Sequence, residues 1–377
     1  MRVLHVIPKL VIGGAERLVL DILREQNART GLQAELIYWE PIFEHAEADR
    51  ANTHRLDMPF SSRFLSFNRR ATKPAQDFID RFQPDVIHSH LFQAEWVARC
   101  EPRKGISYVS SVHDNMRQLE RPSHFFNKNA LAAHWERFYS LSLYRQTRNH
   151  FLAISEDTRS YLHQVLPADM HPRIALLKNA VPLNRFAFPE RPDWQPGQTL
   201  HLINVGSFVA KKNQAMALDV LQELVKVGID TRLTFAGDGP LKSQVQQQAE
   251  AKGLQNRCSF LGNVQNIEAH YRHADLYLHT AWEEPFGLVL VEAMASGLSV
   301  VALDAGGNRE LIQDGINGRL LPRQASPSEV ALSIQTWMSQ ASAQRHARKN
   351  ALEFAAEFGM PAYVDALLNH YTQLQPA

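Results

Sequence analysis

Two rounds of strand–helix alternation, parted by a proline-rich break, predict an α/β protein built from two doubly wound parallel sheets. Short apolar runs such as residues 2–7 and 200–205 alternate with longer helical stretches in both halves, which gives parallel sheets covered by helices on both faces. Pro182, Pro189, Pro192 and Pro196 crowd the span between the halves, as breakers do in a linker. Glycines and histidines recur where predicted strands end, and ligands of such sheets sit beyond the carboxyl ends of the strands.

A chain of 377 residues is long for one core and suits two domains. Expected bounds are 1–185 for the first, joined by a C-terminal helix within 358–377, and 186–357 for the second. Forty Lys+Arg against 39 Asp+Glu leave no global charge to draw the chain to nucleic acid. Cys100 and Cys258 lie far apart and suit a reducing compartment. The first apolar run is too short for a secretory signal and meets Pro8 and Lys9. The longest, 286–303, is broken by Glu292 and Gly297, against a membrane span. A cytoplasmic protein is expected.

In chain order, residues 2–7 read as a strand, and Gly13-Gly14 opens a helix over about 15–25. Strands follow at 33–39, 85–90 and 108–113. The second alternation places 200–205 before Gly206, 232–236 before Gly237-Asp238-Gly239-Pro240, and 258–261 before Gly262-Asn263. Strands at 276–279 and 298–303 flank the stretch Glu284-Pro285-Phe286-Gly287-Leu288 to Gly297. That stretch turns through Pro285 and Gly287 and reads as a helix stopped by Gly297. Its N-terminus would offer unpaired N–H groups and a positive dipole end to an anion. Were Glu284 and Glu292 both helical, they would stand roughly 12 Å apart along the axis. That spacing suits a ligand with hydroxyls at each end and phosphate between. A last helix at about 361–374 would cross back onto the first domain.

Several side chains could serve such a ligand. Lys211 and Lys212 follow the Gly206 strand end, where an ammonium can meet a diphosphate. Gly13 and Gly14 let backbone N–H groups approach a phosphate, although neither a dinucleotide nor a Walker fingerprint is present. His113 ends a strand, where it could bond a substrate hydroxyl. His88 and His90 alternate on another strand and would need further ligands to hold a metal. No Asp-x-Asp pair supports a divalent-metal diphosphate site. Gly306-Gly307 could expose backbone amides or pack tightly. Residues 127–150 mix Trp135, Phe138, Tyr139 and Tyr144 with Lys128, Arg137, Arg145 and Arg148. This is either a basic amphipathic helix on the inner face of a membrane or a half-buried helix of the first domain.

Glu284-x7-Glu292 within Glu-Pro-Phe-Gly-Leu-Val-Leu-Val-Glu-Ala resembles the signature of the family 4 retaining glycosyltransferases. The likeness continues through Gly13-Gly14-Ala15-Glu16, Ser111-Val112-His113-Asp114, Lys178-Asn179-Ala180-Val181-Pro182, Val205-Gly206 to Lys212-Asn213 and Gly307-Asn308-Arg309-Glu310. It implies the GT-B fold, two Rossmann-like domains facing across a cleft. It also implies roles. Glu292 would hold the ribose of a nucleotide donor, Glu284 the transferred sugar, and Lys212 the leaving diphosphate. Backbone around Phe286, Gly287 and Leu288 would face sugar and phosphates, Gly14 would approach the donor phosphate, and His113 would sit near the reacting sugar. Asn263 and Val264 would wall the base, with Gly206, Ser207 and Gly237 lining the donor. The family commonly carries arginine where Ser207 stands, so either Lys211 supplies that charge or one cation fewer is used.

The implied activity is metal-independent transfer, with retention, of a hexose-type sugar from a UDP-sugar or related donor to a glycan or lipid-linked glycan. No cofactor is expected. Surface polysaccharide or lipopolysaccharide synthesis is the implied setting. A phosphorylase or epimerase of the same fold, or a non-catalytic nucleotide-sugar-binding subunit of a polysaccharide complex, is the competing reading.

Overall fold

The computed structural model describes residues 1–40, 52–60, 68–120, 128–188 and 192–374. The chain divides into two compact units, Met1–Asn179 with Met360–Ala377, and Ala180–Gly359. The expected boundary at 185/186 thus moves to 179/180. The cause is local: the Leu183–Phe186 helix packs on the Leu288–Ala295 helix, and the Val181 N–H donates to the Phe358 carbonyl at 2.9 Å. Both contacts tie this segment to the second unit. Pro189 of the expected linker lies outside the described residues.

The first unit carries β1 (Arg2–Val6), β2 (Gln33–Tyr38), β3 (Thr53–Arg55), β4 (Val86–His90), β5 (Ser107–Val112), β6 (His150–Ala153) and β7 (Ile174–Leu176). They form one parallel sheet in the order β3-β2-β1-β4-β5-β6-β7. The second carries β8 (Leu200–Val205), β9 (Thr231–Ala236), β10 (Cys258–Phe260), β11 (Leu276–His279), β12 (Ser299–Leu303) and β13 (Arg319–Leu321). Its parallel order is β10-β9-β8-β11-β12-β13. Strands covered on both faces read as continuous apolar runs, and every residue of β12 is buried. Leu4, Ile37, Ile79 and Ile87 centre one core; Leu202, Leu221, Leu233 and Val301 centre the other.

In each sheet the strand order reverses at one place, between β1 and β4 and between β8 and β11. Such switch points are where doubly wound sheets bind ligands. The Met360–Leu374 helix belongs to the first unit, buries Val364, Leu367 and Tyr371, and packs on the Gly14–Asn27 helix. The Lys128–Gln146 helix is half-buried. Trp135 and Tyr139 stack 5.3 Å apart against Trp96, and Tyr144 is fully buried, whereas Leu131 and Phe138 are exposed. Among the described residues no helix is long and apolar enough to cross a membrane.

Candidate active site

The second unit's switch point brings Lys212 and Glu284 together. Lys212 closes a short 3-10 turn after β8, and Glu284 follows β11 in extended chain. The Glu284 N–H donates to the Ala305 carbonyl at 3.0 Å, and its own carbonyl accepts the Gly307 N–H at 2.8 Å. Glu284 is therefore held as an added strand residue, not as part of a helix. The helix begins only at Leu288. Pro285 and Gly287 insert a turn between them, so the helical spacing expected for Glu284 and Glu292 does not apply.

Burial alone would raise the Glu284 carboxyl, but Lys212 and His279 outweigh it and hold the group well below the ordinary carboxylate range. The Lys212 ammonium donates directly to Glu284 Oε2. His279 Nε2 lies 3.3 Å from the same oxygen, close but poorly aligned for a hydrogen bond. Burial keeps His279 neutral, its pKa lowered despite Glu284. His279 Nδ1 lies 3.2 Å from the Tyr277 hydroxyl, which itself donates to the Val205 carbonyl at 3.3 Å. Tyr277 and His279 escaped the sequence reading. Their signal was two polar residues at alternate positions of a fully buried strand.

Gly287 caps the Leu288–Ala295 helix with φ 98, a left-handed conformation that side chains rarely adopt. Gly307 packs rather than binds: a Cβ there would stand 2.5 Å from the Pro285 carbonyl oxygen. Phe286 is buried against Phe358, ring centroids 5.8 Å apart, so this loop turns its backbone and not its aromatic side chain outward. The Leu290 N–H donates to the Gly287 carbonyl at 2.9 Å; the N–H groups of Leu288 and Val289 before it precede any intrahelical acceptor, and an anion there would meet them together with the dipole. Glu292, on the helix itself, accepts from the Tyr271 hydroxyl at 3.1 Å. Gly206, Gly237 and Gly262 form a tight backbone layer at the ends of β8, β9 and β10, with Gly237 bridging Gly262. Ser207 and Asn263 are exposed, and Val264 and Lys211 half-buried. The Lys211 carbonyl accepts from the Trp282 N–H at 3.0 Å.

In the first unit Gly13 is the extended N-cap residue and Gly14 the first residue of the Gly14–Asn27 helix, so the loop after β1 ends at a helix N-terminus. His113 directly follows β5, partly exposed at the surface yet with its ring desolvated, which lowers its pKa to about 4. Leu91, just past β4, holds φ 68, a strained conformation for a bulky residue and of the kind found at functional sites. His88 and His90 are joined by His5 of β1, with ring nitrogens of all three within 4.8 Å of one another. His5 was missed because it reads as one residue of an ordinary apolar strand.

Sequence comparison matches residues 190–354 to "Glycosyl transferases group 1" and residues 12–185 to "Glycosyltransferase Family 4". Between them the two spans leave little of the chain unmatched. The chain belongs to the family 4 glycosyltransferases. It is similar along 98% of its length to EpsF of Bacillus subtilis (strain 168), with 26% identity over 96% of that protein, whose own glycosyltransferase designation is provisional. It is 32% identical over 175 residues to the phosphatidyl-myo-inositol mannosyltransferase of Mycobacterium tuberculosis, 45% of this chain and 44% of that one. Among solved structures, HepE from Anabaena in complex with UDP and glucose superposes with a TM-score of 0.78 at 22% identity, covering 99% of this chain and 100% of that one. WaaG, a glycosyltransferase involved in lipopolysaccharide biosynthesis, gives 0.74 at 17% identity, covering 98% and 99%. The two parallel-sheet units are those of the GT-B fold. The family 4 chain is thus a glycosyltransferase with the GT-B fold.

Proposed function

We propose that this glycosyltransferase moves a hexose-type sugar, with retention and without a divalent metal, from a nucleotide-diphosphate donor to a glycan or lipid-linked glycan. The observation that carries the proposal is the Lys212–Glu284 pair beside the Gly287-capped helix N-terminus. A diphosphate arriving there would meet Lys212 and the helix amides, so cationic groups of the chain itself take the place of a metal. Lys212 released from Glu284 would leave that carboxylate free for a sugar hydroxyl, with His279 still beside it. Glu292, oriented by Tyr271, would hold the ribose. For Gly13, Gly14 and His113 of the first unit, the family likeness supports roles at donor phosphate and at the reacting sugar. Asn263 and Val264 would wall the base, and Gly206, Ser207, Lys211 and Gly237 line the donor.

A UDP-sugar is the favoured donor, because HepE was solved with UDP and with UDP-glucose. The lipid substrate in the mannosyltransferase's name and the lipopolysaccharide role of WaaG support a lipid-linked acceptor. A cytoplasmic site of action, with exposed Leu131 and Phe138 giving peripheral contact with the inner membrane face, completes the proposal.

A thermal-shift screen against UDP-, GDP- and ADP-sugars tests it, since a ligand that binds only the folded state raises apparent stability by mass action. One donor should stand out, and Lys212→Ala should abolish its shift. A flat response to every nucleotide sugar would contradict the proposal.

A further inference from the structure

His5, His88, His90 and His113 of the first unit form a continuous polar stripe on one face of the sheet. His5 is the register partner of His88 across β1 and β4, and His90 that of Ser111 across β4 and β5. The Gly14–Asn27 helix contributes Gln26, and the Met360–Leu374 helix contributes Tyr371. Gln26, His5, His88, His90 and Tyr371 are all fully buried. Burying this much polarity under two helices is costly unless each group is hydrogen-bonded.

Every ring nitrogen of His5, His88 and His90 has such a partner. His5 Nε2 stands 2.8 Å from Gln26 Oε1, and His5 Nδ1 stands 3.0 Å from His90 Nε2. His90 Nδ1 in turn stands 3.1 Å from His113 Nε2. His88 lies alongside, 2.5 Å from the Tyr371 hydroxyl and 2.8 Å from Ser111 Oγ. Burial lowers His5 to about 4, with Gln26 opposing, and drives His90 well below its ordinary value. His113 is lowered likewise. Each ring therefore carries one proton near neutral pH, and each can donate once and accept once.

That arithmetic fixes a direction. The Gln26 carbonyl oxygen can only accept, so His5 carries its proton on Nε2 and accepts at Nδ1. The same assignment then passes to His90 and from His90 to His113. The Gln26 amide nitrogen, short of a full hydrogen bond, turns toward Tyr371, which leaves the oxygen for His5. We propose that Gln26, His5 and His90 are positioning residues that hold His113 as the Nε2–H tautomer, with Nδ1 kept as an acceptor for a substrate hydroxyl. This rests on the reading of His113 as a group at the reacting sugar. The three clustered histidines also have the spacing of a transition-metal site. A metal would have to break these hydrogen bonds, and the cluster offers it no anionic ligand.

The test is ring-nitrogen NMR on the full-length protein labelled with 15N-histidine, in which 15N shifts report the tautomer of each imidazole. His113→Ala identifies the His113 signals and tests the underlying reading: near-normal turnover in that variant removes His113 from the chemistry, whatever the relay does. In the wild type His113 should be protonated on Nε2. His90→Phe should let the tautomer mix or reverse and lower kcat roughly tenfold, the worth of one neutral hydrogen bond, with the donor KM little changed. His90→Gln, whose amide can donate to His5 and accept from His113, should restore tautomer and turnover. A wild-type His113 protonated on Nδ1 would overturn the proposal, and that reading requires no variant to fold. So would a folded His90→Phe with unchanged tautomer and kcat, a His90→Gln no better than His90→Phe, or stoichiometric uptake of Zn²⁺ by the wild type.

Discussion

Replacing Lys212 with methionine keeps much of the side chain and removes its charge, leaving Glu284 buried beside a neutral His279. Glu284 is only 9% exposed, so little water can stand in for the ammonium. Removing one partner of a buried ion pair costs about 3–5 kcal/mol. Protonation sets a ceiling: taking up a proton at pH 7 from an ordinary glutamate pKa of about 4.3 costs about 2.7 × 1.36, or about 3.7 kcal/mol. Lys212→Met should therefore lose about 3–4 kcal/mol of stability at pH 7. The wild-type carboxyl has a folded pKa below its unfolded one. Its contribution is present above the unfolded value and lost as pH falls through the folded value. In the variant burial raises the carboxyl instead, so the gap between the two proteins narrows to about 1 kcal/mol near pH 5. Urea denaturation at both pH values reads the gap as a difference in midpoints. Adding Glu284→Gln should recover part of the loss at pH 7, as coupled neighbours do. A gap below about 1 kcal/mol at pH 7, or one independent of pH, would refute the buried-pair account.

Glu292→Ala should chiefly weaken donor binding, because a contact to ribose is equally strong in ground and transition states; titration calorimetry showing unchanged donor affinity with collapsed turnover would remove the ribose role. Transfer should survive excess chelator, and loss restored by Mg²⁺ or Mn²⁺ would contradict metal independence. Arg99 is fully buried, donating to Ser89 at 2.7 Å and to Ser110 and Asn149 at 3.0 Å, beside buried Glu95. Arg99→Met should cost several kcal/mol, about 1–3 for each buried acceptor left without its donor, and a denaturation midpoint near wild type would sink that claim.

The long elements and the residues at the switch points were legible in the sequence, because an apolar run ending in glycine or histidine marks both a strand and the carboxyl end at which doubly wound sheets take their ligands. Residues 2–7, 200–205 and 276–279 needed at most a one-residue trim. β3, β6, β7 and β13 were not foreseen. Each has three or four residues, too few for a period to show, and β13 opens with Arg319. The Glu284-x7-Glu292 spacing singled out both carboxylates but misjudged their geometry, since Gly287 at φ 98 breaks the chain direction between them. Polar groups buried beneath the strand ends stayed hidden. His5, Tyr277 and His279 sit within strands, and only the register of neighbouring strands shows what they touch.

The central claim is transfer with retention from a nucleotide sugar, carried out by Lys212, Glu284 and His113. It is tested most directly by following the anomeric proton by NMR during turnover of the donor found in the screen. Either an added acceptor or, before mutarotation, water can receive the sugar. The account predicts a product with the donor's anomeric configuration, released with nucleoside diphosphate, and strongly slowed in Lys212→Ala and His113→Ala. An inverted product, or turnover undiminished in both variants, would contradict it.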